Sequence, residues 1–458
     1  MQAIKSGSKQ QLAILGALTA LGIFLRIFWV VHVPTRQLTD FATFLETASN
    51  IFYGYGHSLG GAAVAWVGPF YSYVLAAAHL LGGAANPVHA QILNVVLSLL
   101  TLGMAFFLFH KWFGGNWTKL LPAYGFTAVF PSLLAYNNVA GTETLFLFLV
   151  VGILLLQLYI PPKYWILQAV ALGIVIALAA LTKPFMLAYP AVVLAVRWIE
   201  TKQLKHTLLA TGVVFLAMAV TIAPWTVRNY RHFDRVVVIS YNRGYNQFVN
   251  NNDANTHGRW MYHFSVPMSN ELRARMEESL AGGRTVKQAY ELEPYFADAA
   301  SAWIRSNPRA FGQLMLLRVQ QTFFAGANDI PQWTMNDFAF SDEYGNLQND
   351  EYGNPRFAEL REFRFFAQLF DINQNVFSAA GLLFALLTVI PYAKTFFCKT
   401  KKRDMPIGES MTFINIAFFV VIVAFFEGQV RYAHSVVPFF IFALVWLCLR
   451  KKPDAKLM

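Results

Sequence analysis

Two carboxylates, Asp40 and Glu143, and three cations, Lys183, Arg228 and Arg431, stand at the ends of long apolar runs, where an ionisable group is costly. Asp40 lies in Gln37-Leu38-Thr39-Asp40-Phe41, after the first run. Asn137, Asn138, Thr142 and Glu143 fall between the third and fourth runs. Lys183 falls between the fifth and sixth, and Arg228 and Asn229 follow the seventh. Glu427, Gln429, Arg431, Tyr432 and His434 fall between the ninth and tenth. Carboxylates grouped with cations suit an acid/base reaction beside a phosphate: a carboxylate takes a proton and the cations hold a negative leaving group. Each position also has an ordinary reading. Asp40 serves equally as a loop residue or helix N-cap. Glu143 would be favoured by a helix dipole, and Lys183 and Arg431 could snorkel to an interface. Asn250-Asn251-Asn252 would make a plain turn. The signal is the joint placement at one end of the apolar segments.

Those segments must position the set. The chain of 458 residues is 56% hydrophobic and 13% charged, against roughly 25% charged in soluble domains. It reads as a polytopic all-α membrane protein held in a lipid bilayer. The net charge of +11 comes from Lys and Arg in short loops between apolar runs. That is a topology signal, and no nucleic-acid partner is expected. Ten candidate spans lie at about 11–31, 88–110, 119–136, 143–160, 164–182, 184–199, 206–225, 374–395, 409–427 and 431–449. The first is too long for a cleavable signal and reads as a retained span. With ten spans, Lys5, Lys9, Lys111, Lys119, Lys163, Arg197, Lys202, Lys205, Lys394 and the basic run Lys399–Arg403 all fall inside. So does the tail from Arg450, and both termini are then cytoplasmic. Two further apolar stretches, about 66–82 and 309–325, read as interfacial or re-entrant helices. The cysteines, Cys398 and Cys448, predict no disulfide.

The domain reading follows. Residues 1–225 form an N-terminal transmembrane module with a first external loop at 32–66. Residues 226–308 form a small external α-rich domain, with a helix start at Ser269-Asn270-Glu271, a stop at Gly282-Gly283 and a second helix over Ala289–Ile304. Residues 309–458 supply an interfacial segment, an external loop at 326–373 and the last membrane helices.

The same residues carry a family likeness. An acidic residue follows the first span, and then come Phe52-Tyr53-Gly54-Tyr55-Gly56 and Gly68-Pro69-Phe70-Tyr71. Next are an acidic loop from Pro131 to Glu143, Leu181-Thr182-Lys183-Pro184, and Pro224-Trp225-Thr226-Val227-Arg228-Asn229-Tyr230. The order closes with Gly244-Tyr245-Asn246, Asn250-Asn251-Asn252 and Arg431-Tyr432-Ala433-His434 with Pro438. In this order the chain resembles the GT-C superfamily of integral-membrane glycosyltransferases, and bacterial members akin to glycosyltransferase family 39, the protein O-mannosyltransferase and aminoarabinose-transferase type. It departs from many members in having Thr39 and Phe41 beside Asp40 rather than a second acid; Glu46 is the nearest.

The resemblance implies a GT-C fold of about 10–12 transmembrane helices with juxtamembrane helices, in a bacterial inner membrane, with the site on the periplasmic face. It implies inverting transfer of a sugar from a polyprenyl-phosphate donor to an acceptor hydroxyl on a glycolipid, lipopolysaccharide or cell-surface polysaccharide. Asp40 would be the base, and Lys183, Arg228 and Arg431 would hold the phosphate. Glu143 would orient a substrate or help hold a divalent cation, although a metal-independent reaction is the expectation. Asn229, Asn246 and His434 would line the site, and Tyr55 and Tyr71 the donor groove. Transfer to protein hydroxyls, and a transporter or flippase for a lipid-linked sugar, are the competing readings.

Overall fold

The computed structural model describes residues 7–327, 329–335, 364–397 and 406–450. The loop with Cys398 and the run Lys399–Arg403, the tail from 451, Lys5 and most of the expected external stretch 326–373 lie outside them. Among the described residues the chain is helical apart from one small hairpin. There Ser58–Leu59 pairs antiparallel with Ala62–Ala63, Ser58 opposite Ala63.

Seven stretches are long and apolar enough to cross a membrane: Lys9–His32, Pro87–Trp112, Pro162–Thr182, Leu204–Phe233, Phe365–Pro391, Ile407–Phe425 and Val430–Leu449. The other three expected spans are shorter helices, and prolines account for two of them. Over 119–136 the helix Trp117–Val129 stops at Phe130, held extended by Pro131, and a short helix Pro131–Ala135 follows. Over 184–199, Pro184 and Pro190 bracket a 3-10 turn, leaving the helix Pro190–Thr201. Over 143–160 the helix Glu143–Tyr159 has 17 residues, the lower end of roughly 17–25 for a span. The two stretches read as interfacial are the helices Phe70–Gly82 and Pro308–Phe323.

In a bilayer, helices gain little from burying apolar surface against one another, so close packing decides how they associate. The helices Trp165–Thr182 and Leu204–Phe233 meet at Gly173. A Cβ there would lie 2.5 Å from Ala217 Cβ and 2.6 Å from the Val214 carbonyl oxygen. The break at Phe130 frees carbonyls at the end of Trp117–Val129. Arg26, fully buried on the first helix, satisfies them: its guanidinium donates to Ala128 O at 2.9 Å, to Thr127 O at 3.3 Å and to Ser98 Oγ at 2.7 Å. A cation at a helix C-terminus also faces the favourable end of its dipole.

The boundary expected at residue 225 falls inside a helix. Leu204–Phe233 runs on through Pro224, and its last turns are tied to the chain that follows. Trp225 Nε1 donates to Ile239 O at 2.7 Å, and Asn229 Nδ2 to Val237 O at 2.9 Å. Beyond it, Ser269 caps the helix Asn270–Ser279, accepting from Leu272 N at 3.2 Å. Gly282 and Gly283 close that segment with φ of 71° and 82°, and the second expected helix is Glu293–Ser306.

Candidate active site

Asp40 enters on the first turn of the helix Thr39–Phe52, which packs against Phe70–Gly82 through Phe44 and the fully buried Tyr71, with ring centroids 5.5 Å apart. The backbone at Thr39 is strained: φ is 50°, a left-handed conformation that β-branched residues rarely adopt. Asp40 is met from two distant parts of the chain. Arg431 Nη2 donates to its Oδ2 at 3.1 Å, and the Lys287 ammonium lies 3.6 Å from Oδ1 while donating to Thr43 Oγ1 at 2.7 Å. The Asp40 side chain keeps 33% of its surface exposed, so a small substrate can reach it.

A second pair stands beside the first. Glu143 opens the helix Glu143–Tyr159, Lys183 follows the last turn of Trp165–Thr182, and Lys183 Nζ donates to Glu143 Oε1 at 3.1 Å with both side chains buried. The Tyr432 ring links the pairs: Lys183 Nζ is 5.5 Å from its centroid and the Arg431 guanidinium 5.7 Å. Its hydroxyl donates to Glu427 Oε2 at 3.0 Å, and Gln429 donates to the other oxygen of Glu427. Glu143 Oε2 is buried with no hydrogen-bond partner among the described residues.

Burial would push the Asp40 carboxyl up, but the charges of Lys287 and Arg431 outweigh it and hold the group below its ordinary value of 3.8. Glu427 goes the other way. Its burial dominates over Arg431 and the Tyr432 hydroxyl, so it is raised. The neighbouring carboxyls are thus shifted in opposite directions, Asp40 down and Glu427 up.

Two packing devices fix these positions. Gly68 lies against the turn that presents Lys183: a Cβ there would be 2.3 Å from the Leu181 carbonyl oxygen and 2.9 Å from that of Thr182. Neither neighbour is a movable side-chain tip, so Gly68→Ala should cost about 1–3 kcal/mol. A thermal-unfolding midpoint in detergent equal to that of the wild type would show that the turn yields freely. Behind Glu427 and Arg431, the fully buried Arg318 donates to Ala424 O at 3.1 Å, to Asn250 O at 2.8 Å and to Asn251 Oδ1 at 2.7 Å. It fastens the end of Ile407–Phe425 to the end of the helix Arg243–Asn250, and the asparagine run serves this joint.

Of the residues expected at a site, Asp40, Glu143, Lys183 and Arg431 come together. His434 lies just behind, buried, its ring edge-on to Tyr136 at 4.8 Å. Arg228 is engaged elsewhere. It donates to Val64 O at 3.0 Å, His57 O at 2.7 Å and Asn229 Oδ1 at 3.0 Å, and lies over the Trp225 ring at 4.7 Å, pinning the 57–64 loop to its helix. Asn229 is buried in that joint. Asn246 lies on the helix Arg243–Asn250, its carbonyl accepting from Asn250 Nδ2 at 2.8 Å. Tyr55 is exposed, in the loop after Thr39–Phe52. Tyr71 packs in the core rather than lining an open groove. Glu46, the other acid near Asp40, accepts from Gly60 N at 2.8 Å and closes the hairpin turn. Sequence reasoning did not single out Lys287; a lone lysine in a polar segment gives no signal.

Asp40 and Glu143 each face ammonium or guanidinium groups, and no group of three or more His, Cys, Asp or Glu gathers among the described residues.

No family model matches this sequence, and no curated protein sequence matches it. Solved structures do. The oligosaccharyltransferase of Archaeoglobus fulgidus, tethered to an acceptor peptide containing the NVT sequon, matches 96% of this chain with a TM-score of 0.51 at 13% identity. This chain spans 50% of that protein's length. ArnT from Cupriavidus metallidurans, bound to undecaprenyl phosphate, aligns over 96% of this chain and 78% of its own, with a TM-score of 0.40 at 14% identity. The fold, all-α with seven helices long and apolar enough to cross a membrane among the described residues, resembles that of the oligosaccharyltransferase.

Proposed function

We propose that this protein is an inverting glycosyltransferase that moves a sugar from a polyprenyl-phosphate donor to an acceptor hydroxyl at the outer face of a bacterial inner membrane. The observation that carries the reading is the convergence of Asp40, accessible and ionised, with Arg431 from the far end of the chain, beside the buried Lys183–Glu143 pair. Strained backbone at Thr39, next to Asp40, is the kind of feature that collects at functional sites.

In the reaction, the acceptor hydroxyl gives its proton to Asp40 as its oxygen bonds to the anomeric carbon. The bond from that carbon to the phosphate oxygen breaks, and the lipid phosphate leaves with the electron pair. Arg431 and Lys183 neutralise the charge that grows there, through charge-assisted hydrogen bonds that strengthen as the bond breaks. Glu143 holds Lys183 in place. The acceptor class we favour is a glycolipid, lipopolysaccharide or cell-surface polysaccharide, because the external domain is small.

The test is an in vitro reaction of purified protein with synthetic polyprenyl-phosphate sugars and a panel of glycolipid, polysaccharide and peptide acceptors. Release of polyprenyl phosphate together with a glycosylated acceptor is the expected result. Passage of the intact donor across a proteoliposome membrane, with no phosphate released, would overturn it in favour of a transporter.

A further inference from the structure

We propose that Lys287 is a movable cation of the donor site: with no donor bound it sits on Asp40, and it passes to the phosphate of the lipid donor when that arrives, leaving Asp40 free to accept a proton. This rests on the transferase reading above.

Geometry supports it on three counts. First, both oxygens of Asp40 are engaged, Oδ2 by Arg431 at 3.1 Å and Oδ1 by Lys287 at 3.6 Å. A carboxylate held from both sides is a poor base until one partner leaves. Lys287 is the looser of the two, beyond hydrogen-bond distance. Second, the backbone that carries Lys287 is anchored by several bonds, while its ammonium is held by one hydrogen bond, to Thr43 Oγ1 at 2.7 Å, and by Asp40. Tyr241 donates to Lys287 O at 2.7 Å, Gln288 Nε2 to Leu59 O at 3.0 Å, and Arg284 to Glu291 at 2.7 Å. The ammonium, on a flexible four-carbon stem, pairs with Thr43 and Asp40 among the described residues and is partly exposed. It can swing while its segment stays in place. Third, the charges suit an anion. Lys183, Lys287 and Arg431 gather around Asp40, three cations from separate parts of the chain.

The groups facing Asp40 are Lys287, Arg431 and Lys183, with Glu427 and Tyr245 also within its field. Removing one cation or bringing in an anion therefore raises its proton affinity, and carbodiimides modify the protonated carboxyl.

The experiment uses the full-length protein in detergent and a short-chain polyprenyl phosphate that carries no sugar. Lys287→Met should weaken binding of that lipid about tenfold at low salt, with the difference shrinking as salt is added, whereas Lys287→Arg stays close to wild type. In the wild type, adding the lipid phosphate should increase carbodiimide labelling of Asp40, read by peptide mass spectrometry. In Lys287→Met the labelling should already be high and change little. Wild-type lipid affinity in Lys287→Met, or wild-type labelling of Asp40 that does not rise with lipid, overturns the proposal. The wild-type labelling needs no variant, so it decides even if Lys287→Met fails to fold. Neither measurement needs turnover, so failure here is separable from failure of the transfer assay.

Discussion

Asp40→Asn should lower the turnover of sugar transfer by roughly 10²–10⁴-fold, the usual contribution of a general base. The protein should remain folded and inserted, because asparagine keeps the shape of the side chain and can still accept from Arg431. Binding of a sugar-free lipid phosphate should survive. Near-normal turnover by the purified variant would remove Asp40 from the chemistry. The wild type carries a matching pH signature. The carboxyl is held below its ordinary value of 3.8 by Lys287 and Arg431 against the pull of burial. A depressed folded value means that the interaction stabilises the fold above the unfolded value and is lost as pH falls through the folded one. Asp40 should therefore put no acid limb on kcat/KM, which reports the free enzyme, between about pH 5 and pH 8. A limb in that window that vanishes in Glu427→Gln would belong to Glu427, whose burial raises it.

Lys183→Met should be the most destabilising change at the site. It leaves Glu143, which is 3% exposed, without its one ion-pair partner among the described residues. Breaking a buried pair from one side costs about 3–5 kcal/mol, because the remaining charge is uncompensated, whereas removing both charges is often neutral. The double variant Lys183→Met/Glu143→Gln should recover most of the lost stability without recovering transfer. Thermal unfolding of the two single variants and the double variant in detergent gives the comparison. Additive losses in the double variant would show that the two side chains do not depend on each other, and the pair would lose its place in the site.

The contrast between Arg228 and Lys287 shows how far a linear reading reaches. Both are basic residues near the ends of elements, and sequence reasoning chose the first. A stretch such as Trp225-Thr226-Val227-Arg228-Asn229 reveals that a cation closes a helix, but not which carbonyls will take its donors. Here the 57–64 loop folds over it and accepts two of its hydrogen bonds, and the Asn229 side chain accepts a third. Lys287 comes from a polar segment with no pattern around it. It reaches Asp40 because Tyr241 and Leu59 hold its backbone there.

The sequence by itself determined the solvent of this protein and the placement of its charges. Apolar runs of membrane length, with polar groups confined to their ends, leave little freedom, because an unpaired charge deep in hydrocarbon costs too much. Asp40, Glu143, Lys183 and Arg431 were legible for that reason, as was the helix start at Ser269. The tertiary structure alone decided which end groups meet. Asp40 and Arg431 are 391 residues apart, and Glu143 and Lys183 40 apart. No periodicity encodes such a pairing. It arises from how the helices pack, through close approaches such as Gly173 against Ala217 and Gly68 against Leu181, and those depend on shape in three dimensions.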